Sequence, residues 1–560
     1  MAENNVKEPS SNRPEGANEP RRKWTPNKKR VVKSKKYYDQ KKMKNLVDDD
    51  KPVYRGELDP RQKDPNKKPR SISFSEQRVR DKAARLAEDE MAKQGGERYV
   101  EHSDFRDLYE RCDASPGRLA ALYATQQVRR RSAYAQEVIE ASIDTSKLTA
   151  EDRAFATLLT LGVVSSGGAL DNVINRALDD PRDIKPDVRD AMRISTYEII
   201  FLKKAPHAAL DQGVELVRAV APSAAGLGNA VLHRVLAMAD KFPFGNPKHD
   251  IGALALLYAF PTWLAKQLVA DLGPQAAIQL MRSSNDPAPL FIAVNSLQAI
   301  DAEVIEAFVE VGAELEPASS GGVEVPGCYR VSKPRVLADG RIQRLFAQGK
   351  ILVSDASAQA VAACVLEGGK PGSLLEVGSG RGTKSILMQS LSNRLYGEQF
   401  TLSCMDNHGF KTELLRERAQ VYGVDIEDFI TGNAARLDSV LGDRVFDSIF
   451  IDAPCSGLGT LRRHHEIRWR LKPEQIEELA GVGLSLLKSA ASHVPVGGSI
   501  LYSTCTVTYA ENNGVVKKFL ESQEGKGFTL VPIGGKACFT SQLGEGTPDA
   551  HFAAKFVRTV

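Results

Sequence analysis

Hydrophobic and polar positions follow three different patterns along this 560-residue chain. As far as about residue 105 no apolar period is sustained, and the stretch is polar, proline-containing and densely charged. Such a segment buries too little apolar surface to offset the entropy of ordering, which predicts disorder. Within it only Glu76 to Gln94, rich in Arg, Ala and Glu, spells an exposed helix. From about 112 to 245 apolar residues recur at helical spacing, through Leu119, Ala120, Leu122 and Tyr123 and again through Phe155, Leu158, Leu159 and Leu161. Asp152 stands near the start of the latter helix, where an acid favours the N-terminal end. Further helices are predicted over Ala191–Leu202, Leu210–Ala219 and Ala224–Phe242. Five or more helices with short connections make a compact bundle whose apolar residues are core. Residues 250–350 mix a helix pair with short strands. Tyr258 to Leu264 reads as a turn into a helix with Pro261 near its first turn, and Ala293-Val294-Asn295 reads as a strand. Ser354 to Gln359 opens another helix, with Asp355 or Ser357 as its cap.

From about 370 the pattern changes again, to short apolar runs alternating with helical segments, which predicts a parallel sheet with crossover helices. Strands are expected at Ser373–Val377, at Phe400–Met405 ending in Asp406, near Phe429-Ile430-Thr431 before Gly432-Asn433, at Ile449-Phe450-Ile451 ending in Asp452, and at Ser499–Ser503. The fold class is therefore multidomain. A disordered basic tail (1–105) precedes an all-α bundle (110–245), a small α+β connector (250–350) and a C-terminal α/β Rossmann-like domain (351–560).

Length supports that division, because 560 residues exceed what one core holds. No run approaches the roughly 18 apolar residues of a membrane span, and the N-terminus lacks the apolar core of a secretory signal. The cysteines at 112, 328, 364, 404, 455, 505 and 538 are odd in number and scattered, with no CxxC spacing. Neither a disulfide framework nor a metal site is expected, and a cytoplasmic location fits. Charge adds a further element. Between Pro20 and Asn45 twelve Lys/Arg face one acid, Asp39, a local balance of +11; with a net charge of +4 overall, the rest of the chain carries −7. Trp24, Tyr37 and Tyr38 interleave that run. It suits phosphate neutralisation with base stacking on RNA, the alternative being a solubilising tail.

Candidate chemistry sits at the carboxyl ends of the expected strands, where open α/β sheets bind ligands. After the first comes Gly378-Ser379-Gly380-Arg381-Gly382-Thr383-Lys384, a glycine loop at a helix start that lets backbone approach a ligand. It lacks P-loop spacing. Asp406, at the second strand end, suits ribose hydroxyls. Together they indicate a nucleoside-containing cofactor without separating NAD from S-adenosylmethionine. The fourth and fifth strand ends carry Asp452-Ala453-Pro454-Cys455 and Thr504-Cys505. Hydride transfer has no need of two thiols there, whereas alkylating the unreactive C5 of a pyrimidine does: a thiolate adding to C6 makes C5 electron-rich. A carboxyl group beside the base can hold N3 and the exocyclic amine as charge develops.

Two resemblances follow from the motifs. Asp152-Arg153-Ala154-Phe155, Leu170-Asp171, Ile194 to Ile199, Pro206-His207-Ala208-Ala209 and Gly228 to Leu232 resemble the NusB-like RNA-binding domain, with His233 where that family commonly has arginine. Asp452 to Arg463, Glu466-Ile467-Arg468-Trp469-Arg470 and Tyr502-Ser503-Thr504-Cys505-Thr506 resemble the RsmB/Sun (Fmu) family of rRNA cytosine-C5 methyltransferases. The resemblance implies Cys505 as nucleophile, Cys455 as the group assisting release, and Asp452 contacting cytosine and bordering the cofactor. It implies S-adenosyl-L-methionine held by Gly378, Ser379, Gly380, Arg381, Gly382, Thr383 and Lys384, by Asp406 at the ribose and by Asn433 at the adenine. The chain departs from the family at three places. Its loop replaces Cys-Ala-Ala-Pro-Gly-Gly-Lys, Asn433 replaces an aspartate, and His464-His465 replaces Asn-Pro and is expected to contact RNA or solvent rather than a metal. The resulting expectation is a monomeric enzyme acting on RNA, most of all small-subunit rRNA. The alternatives are a DNA cytosine-C5 methyltransferase led by Cys455 and a non-catalytic ribosome-assembly factor.

Overall fold

The computed structural model describes residues 112–142, 148–182 and 184–560. The basic run with Trp24, Tyr37 and Tyr38, and the helix expected over 76–95, lie outside the described residues.

The first layer is helical: α1 (Pro116–Arg131), α2 (Ala135–Ser142), α3 (Ala150–Ala177), α4 (Pro186–Ile200), α5 (Pro206–Val220) and α6 (Ala225–Met238). Leu119, Leu122, Leu159, Val163, Ile194 and Leu232 close one core between them. Helices α4 and α5 begin before the first residue of the apolar period, at Pro186 and Pro206. A proline at the first helical position loses no intrahelical bond, so it extends the helix beyond the apolar stripe. Thr149 caps α3 by accepting from the Asp152 amide at 3.1 Å. By length and composition α3 is long and apolar enough to cross a membrane, which corrects the expectation that no segment is. In this fold that apolar surface is accounted for by the bundle core, which takes in Leu159, Leu170, Val173 and Ile174. Acid and base are also buried here: Asp171 receives Arg193 at 2.6 Å, and Asp190 receives Arg129 at 2.7 Å.

Three helices follow, α7 (Ile251–Leu257), α8 (Thr262–Leu272) and α9 (Pro274–Ser283), where the sequence suggested a pair. Next come β1 (Phe291–Val294), α10 (Asp301–Glu310), β2 (Leu315–Ser320), β3 (Val323–Val331), α11 (Gly340–Ala347) and β4 (Ile351–Val353). These strands form an antiparallel sheet in the order β2-β3-β1-β4, so its last strand lies just past residue 350. Asp355, not Ser357, caps α12 (Ala356–Val365) by accepting from the Ser357 amide at 2.8 Å.

The remaining elements alternate: β5 (Ser373–Val377), α13 (Thr383–Tyr396), β6 (Thr401–Asp406), α14 (Gly409–Tyr422), β7 (Asp428–Thr431), α15 (Asp438–Leu441), β8 (Ser448–Asp452), α16 (Ile467–Arg470), α17 (Pro473–Ala490), β9 (Ser499–Thr504), α18 (Asn513–Glu521), β10 (Phe528–Val531), β11 (Phe539–Thr540) and β12 (Phe552–Arg558). Their sheet runs β10-β12-β9-β8-β5-β6-β7, parallel from β9 to β7, with β12 antiparallel to β9 and β10. Leu374, Leu375, Ile449, Phe450, Ile451 and Ile500 are buried on both faces, which is why these strands read as continuous apolar runs rather than alternating ones. From β5 the chain proceeds outward to β6 and β7, then returns to lay β8 on the other side. The gap between the carboxyl ends of β5 and β8 is thus the topological switch point, where doubly wound sheets bind ligands.

Candidate active site

Two loops leave the sheet at that switch point. After β5 the chain turns through Gly378 (φ +83°), where a Cβ would lie 2.6 Å from the Asp452 carbonyl oxygen, and through Gly382 (φ +77°), where it would lie 2.1 Å from Leu415 Cδ1. Only glycine fits either place. The Gly378 and Ser379 amides donate to the Met405 carbonyl at 2.9 and 3.1 Å, and the Gly380 amide donates to Asp406 Oδ2 at 3.2 Å. The loop therefore lies across the ends of β5 and β6, at the positive end of the α13 dipole. Arg381 offers its carbonyl to Arg418 at 2.6 Å. Asp406 is 6% exposed and also receives the His408 amide at 3.0 Å and Lys411 Nζ at 3.1 Å from each oxygen. At the end of β7 the exposed Asn433 uses Oδ1 to cap the turn Ala434–Arg436, accepting from the Ala435 amide at 3.0 Å. A cradle that any Cβ would fill, with an acid at the next strand end, fits a nucleoside-bearing cofactor.

On the other side, parallel pairing of β8 with β9 sets Asp452 opposite Ser503, which brings the next residues of both strands to one level. Cys455 and Cys505 come together there, Sγ to Sγ 3.4 Å, and the Cys505 amide donates to Cys455 Sγ at 3.3 Å. The hydrogen bond with Cys505, burial and the nearby charge of Glu511 push the Cys455 thiol well above its ordinary range. Asp452 receives Lys384 Nζ at 2.6 Å and the Ser503 hydroxyl at 3.4 Å. Burial works against the Lys384 ammonium, but the Asp452 charge and hydrogen bond outweigh it, with further help from Cys505 and Glu376, so its pKa rises. Lys384 of the glycine loop thus spans the switch point to the strand-end acid. His551, just before β12, is held neutral: burial first and the Lys384 charge second depress it to about 4.

Glu511 escaped the sequence reading. Its buried carboxylate accepts from the Ser456 amide at 2.6 Å, the Ser456 hydroxyl at 2.7 Å and the Thr508 hydroxyl at 2.6 Å. A signal was present: Thr508-Tyr509-Ala510-Glu511 spells the S/T-x-x-E capping pattern, and the Glu511 amide does donate to Thr508 Oγ1 at 3.3 Å. Glu376 on β5 was missed as well, because nothing local marks a strand acid that will be buried. The histidine pair needs correction. His465 is buried, its pKa driven down to about 3 by desolvation and then by Arg468, and His464 packs 4.9 Å from the Tyr134 ring of the helical bundle. The expectation of solvent or RNA contact therefore fails for His465, while His464 is half-buried against the bundle.

A doubly wound sheet with a glycine cradle after β5 and an acid after β6 is the frame of a nucleoside-cofactor enzyme, and the family match makes it an S-adenosylmethionine-dependent methyltransferase. A family model described as 16S rRNA methyltransferase RsmB/F matches residues 363–556, and a NusB family model matches residues 115–237. A protein of Mycobacterium tuberculosis strain H37Rv, bearing a provisional methyltransferase name, is 30% identical over 412 residues, 72% of this chain and 86% of that protein. The chain belongs to the RsmB/Sun family of rRNA methyltransferases, with its NusB helical domain ahead of the catalytic one. The Bacillus subtilis protein named "Probable ribosomal RNA small subunit methyltransferase B" is 27% identical over 404 residues, 72% of this chain and 87% of that one. A solved structure, "Crystal Structure of PH0851", shares the fold with a TM-score of 0.62 at 21% identity, over 80% of this chain and 100% of that one.

Proposed function

We propose that this chain methylates C5 of a cytosine in small-subunit (16S) rRNA through a covalent bond between Cys505 Sγ and C6 of the base. The observation that carries the reading is the thiol pair, 3.4 Å apart at the ends of two adjacent parallel strands. C5 of cytosine is not nucleophilic by itself. When the Cys505 thiolate adds to C6, the C5–C6 π electrons become available at C5, which splits one hard step into two easier ones. S-adenosylmethionine, when bound, supplies the electrophilic methyl group that C5 takes. The C5 proton then leaves, the double bond re-forms and Cys505 departs as thiolate, with Cys455 assisting release. Asp452 holds the N3 and amine edge of the base. Lys384, beside both Asp452 and Cys505, lowers the cost of thiolate charge. Gly378, Ser379, Gly380, Arg381, Gly382, Thr383, Lys384, Asp406, Asn433 and Asp452 form the cofactor side. Residues 110–245 and the basic tail position RNA mainly through its phosphates, and the target base enters the crevice unstacked.

In the deciding experiment rRNA is methylated in vitro by the wild type, Cys505→Ala and Cys455→Ala. Cys505→Ala should form no 5-methylcytosine, while Cys455→Ala should accumulate a covalent protein–RNA adduct. Full turnover by Cys505→Ala removes the assignment. A mechanism led by Cys455, as in DNA cytosine-C5 methyltransferases, has the opposite pattern. A scaffold without catalysis is tested by calorimetry, where no S-adenosylmethionine binding at millimolar concentration would favour it.

A further inference from the structure

The two loops that carry the cysteines are tied to one buried carboxylate. Ser456 follows Cys455 and Thr506 follows Cys505. The Ser456 amide and hydroxyl donate to Glu511 Oε1 and Oε2 at 2.6 and 2.7 Å, and Thr506 Oγ1 lies 2.6 Å from Ser456 Oγ and 3.3 Å from Glu511 Oε2. Thr508 adds a donor at 2.6 Å, and the Tyr502 hydroxyl donates to the Glu511 carbonyl at 2.8 Å. Asn512, the next residue, accepts from Thr504 Oγ1 at 2.6 Å and donates to the Thr506 carbonyl at 3.1 Å, fixing the other side of Cys505. Burial raises the Glu511 carboxyl, and the hydrogen bonds from Thr508, Ser456 and Thr506 oppose that rise by favouring the carboxylate.

We propose that Glu511 is a positioning residue that holds Cys455 and Cys505 in register and keeps their shared proton on Cys455, leaving Cys505 as the thiolate. This rests on the reading of Cys505 as the attacking group and adds what selects it. Two opposed charges flank the pair. Glu511 stands on the Cys455 side through Ser456, where its charge disfavours a thiolate. Lys384 stands on the other side, where Cys505 figures among the groups that stabilise its ammonium. The Cys505 amide, donating to Cys455 Sγ at 3.3 Å, works against a proton there, but the hydrogen bond with the Cys505 side chain, burial and the Glu511 charge outweigh it and hold the Cys455 thiol protonated, 3.4 Å from Cys505 Sγ. The other titratable groups around the pair are Tyr502, whose hydroxyl is spent on Glu511, Asp452, paired with Lys384, and the neutral His551.

The test reads the thiols directly and needs neither RNA nor cofactor, so its failure is distinct from failure of the methylation assay. Full-length protein is treated with limiting iodoacetamide at pH 7, and each cysteine's alkylation rate is followed by peptide mass spectrometry. In the wild type Cys505 should react about tenfold faster than Cys455 or more, one pKa step being a factor of ten. Glu511→Gln, with its fold checked by thermal melting, should bring the ratio at least about threefold closer to one. Thr508→Val, which keeps the carboxylate, should leave it within about twofold. A folded Glu511→Gln with an unchanged ratio overturns the proposal, as does Thr508→Val shifting it equally. Should Glu511→Gln not fold, the wild type decides alone: Cys455 reacting as fast as Cys505 overturns it.

Discussion

Glu376, on the strand that leads into the glycine loop, is 1% exposed. The Ser385 hydroxyl donates to it, as does Cys404 Sγ at 3.6 Å. Burial lifts its carboxyl to about 7, the Asp452 charge adding to the lift while Ser385 and Lys384 oppose it. In the unfolded chain the same group titrates at its ordinary value of 4.5. Between those two values the folded protein keeps a proton that the unfolded chain releases, so stability falls as pH rises, and above them the whole penalty, about 3 kcal/mol, is present. Glu376→Gln, a neutral isostere that can still accept from Ser385, should therefore raise the unfolding free energy by up to about 3 kcal/mol at pH 8 and by less than about 1 kcal/mol at pH 5. Denaturant titrations at the two pH values measure this, and parallel pH slopes for variant and wild type would refute it. The same residues show what a sequence conveys at this scale. Cys455, Cys505, Asp452 and Gly378 to Lys384 are legible because chemistry at strand ends sits next to an apolar run that marks the strand. Glu376 is not, and for Glu511 the capping pattern marks the residue but not its role, since a buried acid is defined by donors such as Ser456, 55 positions from Glu511.

Among the elements, the segment between Cys455 and α17 shows the greatest gap between motif and meaning. Arg462, Arg463 and Arg468 are visible as part of the family pattern, but their partners are remote. Arg462 donates to the Ser283 and Thr547 carbonyls at 3.0 and 2.8 Å and to Gly544. Arg468 is fully buried, lying 4.4 Å from the Phe260 ring centroid and donating to Asn285 Oδ1 at 2.7 Å. Arg463 joins Asp549 at 2.7 Å and Asp355 at 3.1 Å. Helices α8 and α9 of the connector, whose Leu264, Leu268 and Leu280 share a core with Leu458 and Leu461, are a mount for the loop after Cys455, which no local periodicity reveals. Arg463 also separates two acids. Burial, then the Asp355 charge, lifts Asp549 to about 6 even with the guanidinium present. A carboxyl raised in the fold contributes stability that is lost as pH rises through its folded value, and removing the cation raises it further. Arg463→Met should cost about 3–5 kcal/mol at pH 8, the loss expected when one partner of a buried pair is removed. At pH 5, with one carboxyl protonated, the cost should be smaller. Unfolding at both pH values checks this, and an equal loss at each would contradict it.

At the scale of the whole molecule, the sequence already separated helical bundle from α/β domain, because helical and strand periods differ. It did not show how they meet. The meeting point is α16, one turn formed by the continuation of the Cys455 loop. Trp469 Nε1 donates to the Ser165 carbonyl of α3 at 2.8 Å, and Arg470 donates to the Ser132 and Ala133 carbonyls at 3.0 and 2.8 Å. The NusB bundle thus grips the continuation of the Cys455 loop, so its seating and the geometry of the site are coupled through the chain from Cys455 to Trp469. Gly168 on α3 is the tightest point of that joint, since a Cβ there would lie 2.2 Å from Trp469 Cζ3. Gly168→Val must push the indole out and break its hydrogen bond, an overpacking cost of about 1–3 kcal/mol confined to the joint. Calorimetry should then resolve the bundle melting separately from the methyltransferase domain. S-adenosylmethionine affinity should stay within about twofold, because the glycine loop lies across the switch point from α16, while rRNA methylation should fall about tenfold or more for a loop displaced by an ångström. A single unfractured transition with full methylation would mean that the bundle does not help to hold the loop; loss of cofactor affinity would mean the joint reaches through β8 into the cradle itself.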